Sequence, residues 1–372
     1  MTFEEIHSLL RESMKIKPVS NRGAHQKTST PKGMTRMNYN ENPYGMAPSV
    51  RKALEDSVKD GYMYQDFYAV DLRKQLADFY GLTMDHVCIG AGSSSIIDMI
   101  GEVFLNYGDE VVYCMPSYDA FADMVSDNGG IRVEVPLDKN YCYDLNGMAA
   151  AITPKTKLAI IVNPNNPTGT YVKAKEVEKF IRSLPSHVIA VIDEAYFDYV
   201  DDPEHYSMIK LVQDGYDKPV IVLRTFSKIY GLAGMRVGYG IADPIVVDQL
   251  MKASQAWNVS RNGILAAQVA LKDQDYVRKM REKNVESRNY LIAGLKKLGC
   301  DIAETQSNFI FFDPHEDAKE IKERLQKEYH ILVGAPHEHI RVTVGTDEQN
   351  DLFLSAMNEL LDSEAVDRSC AV

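Results

Sequence analysis

Residues 219–240 read Pro219-Val-Ile-Val-Leu-Arg-Thr-Phe-Ser-Lys228-Ile-Tyr-Gly-Leu-Ala-Gly-Met-Arg236-Val-Gly-Tyr-Gly240. The first five residues are β-branched or apolar apart from the leading proline, which predicts a buried strand. A glycine-rich turn follows, and the run that ends at Gly240 predicts another strand. The stretch therefore places Lys228 just beyond the end of a buried strand.

The surroundings of Lys228 indicate a functional role. A single lysine at a strand end is usually a surface cation. Here it follows Ser227, and Arg236 returns eight positions later across glycines that let other groups approach the backbone closely. This setting is typical of a lysine that holds a carbonyl cofactor as a Schiff base. The hydroxyl and the guanidinium are then expected to bind an anion such as phosphate.

Length and composition limit the class of protein. A chain of 372 residues exceeds what one hydrophobic core usually serves, so we expect two domains. A net charge of −12 without a basic block argues against a nucleic-acid partner. The N-terminal sequence resembles neither a signal peptide nor a membrane span. We therefore expect a soluble, reduced, cytoplasmic protein without a metal site, because the five cysteines lack metal-ligand spacing.

The middle of the chain alternates apolar strand patterns with helical patterns. This alternation predicts an α/β fold with a doubly wound, mostly parallel sheet, whose ligand site lies at the strand C-terminal ends. We expect a second, smaller α+β domain. The predicted division is an N-terminal helix and arm over 1–36, a small domain of 37–60 plus 275–372, and a large domain of 61–274. One long helix from Asp273 to Leu298 is expected to join the two domains.

Three further strand ends carry candidate ligand groups. Ser93 and Ser94 open a helix after a glycine-rich turn, where backbone N–H groups attract anions, although a plain N-cap would look the same. Tyr118 follows a strand and could stack on a flat ring of a ligand. Asp193 follows five apolar residues, where a carboxylate is costly to bury without a cationic partner. A cationic group of a bound ligand would be such a partner.

Several motifs support a family resemblance. Ser-Lys followed by Gly-x-x-Gly-x-Arg-x-Gly resembles the lysine site of the class I/II, or fold-type I, pyridoxal-phosphate aminotransferases. Asn-Pro-Asn-Asn-Pro-Thr-Gly at 163–169 resembles another signature of that family, and Asn-Glu-Asn-Pro-Tyr-Gly at 40–45 resembles its histidinol-phosphate aminotransferase subgroup. The resemblance covers roughly residues 37–360. It implies a transaminase with pyridoxal 5'-phosphate as cofactor.

The resemblance also implies residue roles. The predicted catalytic residues are Lys228, Asp193 and Tyr196. The predicted cofactor-binding residues are Ser93, Ser94, Tyr118, Asn166, Asp193, Tyr196, Ser227, Lys228, Arg236 and, from the neighbouring subunit, Tyr64. The predicted substrate-binding residues are Tyr44, Asn166 and Arg341. Because Tyr64 and Tyr44 are expected to complete the neighbour's site, a homodimer is predicted.

The reaction and the donor leave alternatives open. A decarboxylase or lyase would share the coenzyme contacts, and a non-catalytic regulatory relative would share the fold, although the complete set of motifs argues against the latter. The expected acceptor is a 2-oxo acid such as 2-oxoglutarate. For the donor, the subgroup commonly has Ile-x-Val-Arg where this chain has Ile331-Leu-Val-Gly334. Without this arginine, binding of a substrate phosphate is expected to be weaker. This favours an L-amino acid, possibly aromatic, as the donor rather than histidinol phosphate, with its carboxylate bound by Arg341.

Overall fold

The computed structural model describes residues 3–15 and 32–370. The predicted N-terminal arm falls partly on residues 16–31, which lie outside the described residues. Within the described ranges, the strands are β1 Thr35–Arg36, β2 Val87–Gly90, β3 Glu110–Met115, β4 Ile131–Pro136, β5 Thr156–Val162, β6 Ile189–Asp193, β7 Val220–Thr225, β8 Gly238–Ile241, β9 Asp301–Ile302, β10 Phe309–Asp313, β11 Ile331–Leu332 and β12 Ile340–Thr343.

Helices alternate with most of these strands. They are α1 Phe3–Ser8, α2 Glu12–Lys15, α3 Pro48–Ser57, α4 Val70–Tyr80, α5 Ser93–Phe104, α6 Asp119–Asp127, α7 Leu145–Ala151, α8 Ala174–Ser183, α9 Ile209–Gln213, α10 Pro244–Ala253, α11 Arg261–Lys272, α12 Gln274–Lys297, α13 Ala318–Glu328 and α14 Asp347–Cys370. None of the helices in the described ranges combines the length and apolar character needed to span a membrane.

The larger sheet has seven strands in the order β2-β8-β7-β6-β5-β3-β4. All neighbouring pairs are parallel except those of β8, which is antiparallel to both of its partners. The turn between β7 and β8 contains no α-helix to carry the chain back over the sheet, so β8 returns in the opposite direction. Every residue of β6 and β7 is buried, as expected of strands covered on both faces. The predicted α/β fold with a mostly parallel sheet is confirmed.

A smaller α+β unit is built around the antiparallel sheet β12-β10-β9. The short strand β1 pairs in parallel with β11, so the N-terminal side of the described chain adds to a sheet formed near the C-terminus. Apolar side chains of α13 and α14 pack beneath these strands in a separate core cluster. The long helix α12 joins both units, because Met280 belongs to the core of the large unit and Leu291 to that of the small one.

The predicted domain boundaries stay a prediction, and packing suggests one adjustment. Met37 is buried in the small core, whereas Val50 of α3 is buried in the large core. Helix α3 also packs against α11. We therefore propose that α3 belongs to the large domain, although 37–60 was assigned to the small one. The chain then crosses between the domains over residues 38–46.

The turn after Lys228 provides a test of this crossing. Gly231 has a left-handed φ of 69°, and an added Cβ would overlap the backbone carbonyl of Gly45. We expect Gly231→Ala to lower the free energy of unfolding by more than about 1 kcal/mol, because both the conformation and the close approach are lost. Gly234→Ala is the matched control, since a Cβ there meets open space. Equal melting temperatures for the two variants would contradict this packing.

Candidate active site

A cavity of about 350 Å³ lies at the C-terminal edge of the larger sheet, facing the small unit. Parallel strands bring their carboxyl ends to one edge, so residues that follow β2, β3, β5, β6 and β7 meet there. The predicted site residues that line this cavity are Ser93, Ser94, Tyr118, Asn166, Asp193, Tyr196, Ser227, Lys228, Arg236 and Arg341.

One end of the cavity gathers groups suited to an anion. The guanidinium of Arg236 donates to Ser227 Oγ at 3.3 Å and to Ser94 Oγ at 3.5 Å. Ser93 begins helix α5, and an added Cβ at Gly238 would overlap its backbone nitrogen, so the strand and the helix end approach closely. The N–H groups of a helix start, two hydroxyls and an arginine together form a phosphate-binding arrangement.

Asp193 lies deep in the cavity as the last residue of β6. Its side chain is 2% exposed, and Oδ1 accepts a hydrogen bond from the backbone N–H of Ala195 at 3.0 Å. Burial raises the pKa of Asp193 to about 6, while the Ala195 N–H and the more distant Lys228 act in the opposite direction. A carboxylate in this position is stabilised by a cation that enters the cavity.

Two neutral donors face the middle of the cavity. Arg341 Nη1 donates to Asn166 Oδ1 at 2.5 Å, which leaves the Asn166 amide nitrogen as a free donor. The hydroxyl of Tyr196 accepts a hydrogen bond from Asn40 Nδ2 at 3.0 Å, so its own hydrogen is available to another acceptor. Both residues, which are predicted to bind the coenzyme, are therefore oriented by neighbouring side chains.

The amine of Lys228 lies beside this pair. Its Nζ donates to the carbonyl oxygen of Tyr39 at 3.2 Å and stands 5.4 Å from the centre of the Tyr196 ring. The amine forms no ion pair with a carboxylate of the described residues. A lysine with a weakly bound amine in a cavity is suited to covalent bonding with a carbonyl group.

Two predicted site residues lie away from this cavity within the same chain. Tyr44 lines a separate small cavity, where the amine of Lys283 stands 4.7 Å above its ring. Tyr64 is 77% exposed and packs against Trp257 with ring centres 4.9 Å apart. Their proposed contacts with a neighbouring subunit stay a prediction.

The structure adds lining residues that had no predicted role, including Tyr39, Asn40, Asp119 and Pro336. Of these four, only Asn40 carried a signal, as the first residue of the Asn-Glu-Asn-Pro-Tyr-Gly motif. The cavity is also lined by His337, a histidine of the turn that follows Gly334, where a replacement for the phosphate contact was conceivable although a solvated histidine was the more common expectation. His337 enters the cavity from a short loop in which its φ is 51° and that of Glu338 is 64°. Two successive left-handed residues are not predictable from composition.

A buried ion network behind the cavity was also missed. Arg224 donates to Glu194 at 3.1 Å and to Asp198 at 2.8 Å, and its guanidinium lies 4.1 Å above the ring of Phe197. Glu194 directly follows Asp193, yet its charge is balanced by Arg224. The network therefore fixes the ends of β6 and β7, while the Asp193 carboxylate has no arginine partner among the residues that the structure describes.

Comparisons with known proteins agree with this geometry. The family model for aminotransferase class I and II matches residues 32–357. A histidinol-phosphate aminotransferase of Moorella thermoacetica is 38% identical over 334 residues, covering 89% of this chain and 86% of the relative. One from Brevibacillus brevis is 37% identical over 327 residues, covering 87% and 89%. The chain belongs to the class I and II aminotransferases.

The same comparisons place this aminotransferase in the histidinol-phosphate aminotransferase subgroup. The crystal structure of a histidinol-phosphate aminotransferase from Sinorhizobium meliloti, in complex with pyridoxal-5'-phosphate, superposes with a TM-score of 0.83 at 32% identity, covering 88% of this chain and 91% of that one. The protein is thus a pyridoxal-phosphate-dependent transaminase. The decarboxylase, lyase and non-catalytic alternatives are set aside.

The donor set fits pyridoxal phosphate. An unpaired buried carboxylate, Asp193, suits the protonated ring nitrogen, and the anion-binding groups around Arg236 suit the phosphate. Tyr118 lines the cavity just before α6, and burial raises the pKa of Tyr118 to about 12, so its ring stays neutral. When bound, the coenzyme supplies an electron sink for the carbanion of the amino donor.

The buried Asp193 gives a pH-dependent prediction for the coenzyme-free aminotransferase. Since its pKa is raised from 3.8 to about 6, the folded protein holds a proton that the unfolded chain releases between these values. The contribution of this group to stability is therefore present at low pH and is lost as the pH rises to about 6, by roughly 3 kcal/mol.

Asp193→Asn stays neutral, so it should melt at a higher temperature than the wild type at pH 8, and the difference should disappear near pH 4. Melting temperatures of both coenzyme-free proteins across this range measure the effect, because the other carboxylates are common to both. If the melting temperatures of the two proteins changed in parallel with pH, the raised pKa of Asp193 would be contradicted. With coenzyme, the same variant should lose most transamination, since an amide cannot hold the ring proton.

Proposed function

We propose that this transaminase takes its amino group from an L-α-amino acid, whose carboxylate binds Arg341, and passes it to a 2-oxo acid such as 2-oxoglutarate. The supporting observation is which arginines have a carboxylate partner within the protein. Arg224 and Arg288 are buried in ion pairs, whereas Arg236 and Arg341 line the cavity without an ion pair to any described carboxylate. With Arg236 at the coenzyme phosphate, Arg341 is left for one substrate anion.

The surroundings of Arg341 support this role. Burial lowers the pKa of Arg341 below its ordinary value, so an anionic partner stabilises its charge. Its terminal nitrogens donate to Asn166 and to the carbonyl oxygen of Asn38, and each carries a second N–H. A carboxylate can accept from both of these remaining N–H groups.

The proposed roles of the other residues follow from their positions. Lys228 would hold the coenzyme through its Nζ, and the same amine is the group placed to accept and return the α-proton of the donor. Asp193 keeps the proton on the ring nitrogen. Asn166 and Tyr196 would donate to the phenolic oxygen of the coenzyme, and Tyr118 would stack on its ring. The phosphate is held by Ser93, Ser94, Ser227 and Arg236.

Histidinol phosphate is the second candidate donor, because relatives at 33–38% identity carry that name. At the position where the subgroup commonly has a phosphate-binding arginine, this chain has Gly334. Its backbone pairs with that of Arg341 through hydrogen bonds of 3.0 and 2.8 Å. A Cβ there would lie 3.6 Å from Arg341 Nη2, so the missing arginine would stand beside the existing one. The single guanidinium of Arg341 balances the charge of a carboxylate but only part of the charge of a phosphate dianion.

A donor comparison tests the proposal. We expect kcat/KM for phenylalanine, tyrosine or histidine to exceed that for histidinol phosphate by about tenfold or more, with 2-oxoglutarate as acceptor. Gly334→Arg restores a charge-assisted contact of about 1.5–3 kcal/mol, so it should raise kcat/KM for histidinol phosphate by about one to two decades. A Cβ at Gly334 meets neighbouring atoms only at ordinary contact distances, so the substitution causes no clash at the backbone.

Lys228→Ala sets the background rate in this assay, and an amino acid measured with Gly334→Arg shows whether the gain is specific to the phosphate. A wild-type preference for histidinol phosphate by orders of magnitude would overturn the proposed donor. It would leave the transaminase assignment intact.

We also propose a homodimer in the cytoplasm. Tyr62, Tyr64 and Phe67 are exposed aromatic residues close together in sequence, and the rings of Tyr64 and Phe67 both pack against Trp257. By resemblance, Tyr64 reaches the coenzyme phosphate of the other subunit. The cytoplasmic location is supported by free thiols at the four cysteines whose side chains are described.

Complementation tests the dimer. In a mixed dimer of Lys228→Ala and Tyr64→Ala protomers, one of the two sites combines an intact lysine with an intact tyrosine. After co-refolding equal amounts, we expect about one quarter of wild-type activity, well above that of either variant alone. Analytical ultracentrifugation gives the oligomeric state. An active monomer, or no gain on mixing, would contradict a site shared between subunits.

A further inference from the structure

Residues 38–40 contact three of the proposed functional side chains in succession. The carbonyl oxygen of Asn38 accepts a hydrogen bond from Arg341 Nη2 at 2.8 Å, and that of Tyr39 accepts one from Lys228 Nζ at 3.2 Å. The side chain of Asn40 donates to Tyr196 Oη at 3.0 Å. These residues belong to the segment that crosses between the two units, so both units meet at the cavity through it.

The backbone and side-chain polar groups of Asn40 all form hydrogen bonds. It is 2% exposed, and its φ of 56° is left-handed. Its backbone N–H donates to Thr343 Oγ1 at 3.0 Å, and its carbonyl oxygen accepts from Asn308 Nδ2 at 3.1 Å. Its Oδ1 accepts from Thr343 Oγ1 at 3.3 Å. Because these hydrogen bonds occupy its backbone and side-chain groups together, the side-chain amide of Asn40 is held in one orientation.

The network also fixes the direction of the hydrogen bond to Tyr196. Since Thr343 Oγ1 accepts the backbone N–H of Asn40, its own hydrogen goes to Asn40 Oδ1. The amide nitrogen then faces Tyr196 and donates to the phenol oxygen. With that oxygen acting as an acceptor, the hydroxyl hydrogen of Tyr196 is directed elsewhere, and donation by Asn40 polarises it toward stronger donation.

We infer that Asn40 is a positioning residue that aims the hydroxyl hydrogen of Tyr196 at the coenzyme, and that Thr343 holds Asn40 in the orientation this requires. The inference rests on the proposed role of Tyr196. It also explains the arrangement of β12, in which Arg341 and Thr343 lie two residues apart and thus on one face. One strand then supplies the substrate arginine and the anchor of Asn40.

Other groups around Tyr196 are common to every variant used below. The amine of Lys228 stands 5.4 Å from the ring. Arg341, Tyr118 and Tyr199 also interact with Tyr196 electrostatically. A change in pH behaviour on substitution of Asn40 is therefore attributable to its amide.

The test uses Asn40→Gly, which keeps the left-handed backbone and removes the amide. A hydrogen bond to the phenolic oxygen stabilises the anionic, deprotonated form of the bound coenzyme and so lowers the pH at which the coenzyme takes up a proton. With a weaker bond, the pH midpoint of the visible absorbance of the bound coenzyme should rise by about half to one unit. We expect kcat to fall about fivefold, and KM for the amino donor to change less than about twofold.

Two controls separate positioning from general loosening. Asn308→Ala removes an equally buried amide that binds the Asn40 carbonyl but not Tyr196, so it should lower the melting temperature without moving the midpoint. Thr343→Val should move the midpoint in the same direction as Asn40→Gly, and Thr343→Ser should restore it. If Asn40→Gly does not fold, the comparison of Thr343→Val with Thr343→Ser tests the inference instead.

An unchanged midpoint in Asn40→Gly, or an equal shift in Asn308→Ala, would overturn the inference. Tyr196→Phe distinguishes its failure from failure of the proposed function. If Tyr196→Phe moves the midpoint and Asn40→Gly does not, only the role of Asn40 is wrong. If neither moves it, the proposed role of Tyr196 is wrong as well.

Discussion

The burial of the Asp193 carboxylate is the constraint on which the pocket depends. Asp193 and Glu194 are adjacent at the end of β6, and successive side chains at a strand end point in opposite directions. Glu194 meets Arg224 in a buried ion pair, whereas the pKa of Asp193 is raised by burial that Arg224 does not relieve. The uncompensated carboxylate is the one that faces the cavity, where a cationic ring nitrogen would balance its charge.

The arginines show the same division. The two buried arginines that are paired with carboxylates, Arg224 and Arg288, fix the ends of strands and helices within the fold. Those that line the cavity, Arg236 and Arg341, are left without such partners among the described residues, and both are bonded to neutral oxygens. A folded chain that balances its buried charges elsewhere thus retains unbalanced ones where charged ligands bind.

Neutral side chains in the pocket are oriented in a comparable way. Asn166 accepts from Arg341 and so presents its amide nitrogen, and Tyr196 accepts from Asn40 and so presents its hydrogen. In each case a group that could donate or accept is restricted to donation by its neighbour. Hydrogen-bond direction is therefore set by the layer of residues around the coenzyme site.

The sequence by itself determined the chemistry at the strand ends. Lys228, Asp193 and Ser93 each follow an apolar run or a glycine turn, and local pattern alone places such residues at one edge of a parallel sheet. Tertiary structure decided what the pattern could not express. Asn40 reaches Tyr196 across 156 positions of sequence, His337 enters the cavity through a left-handed turn, and Tyr44 and Tyr64 lie outside the cavity of their own chain. The reason is physical: strand position follows from local hydrophobicity, whereas the orientation of a donor depends on partners that only folding brings together.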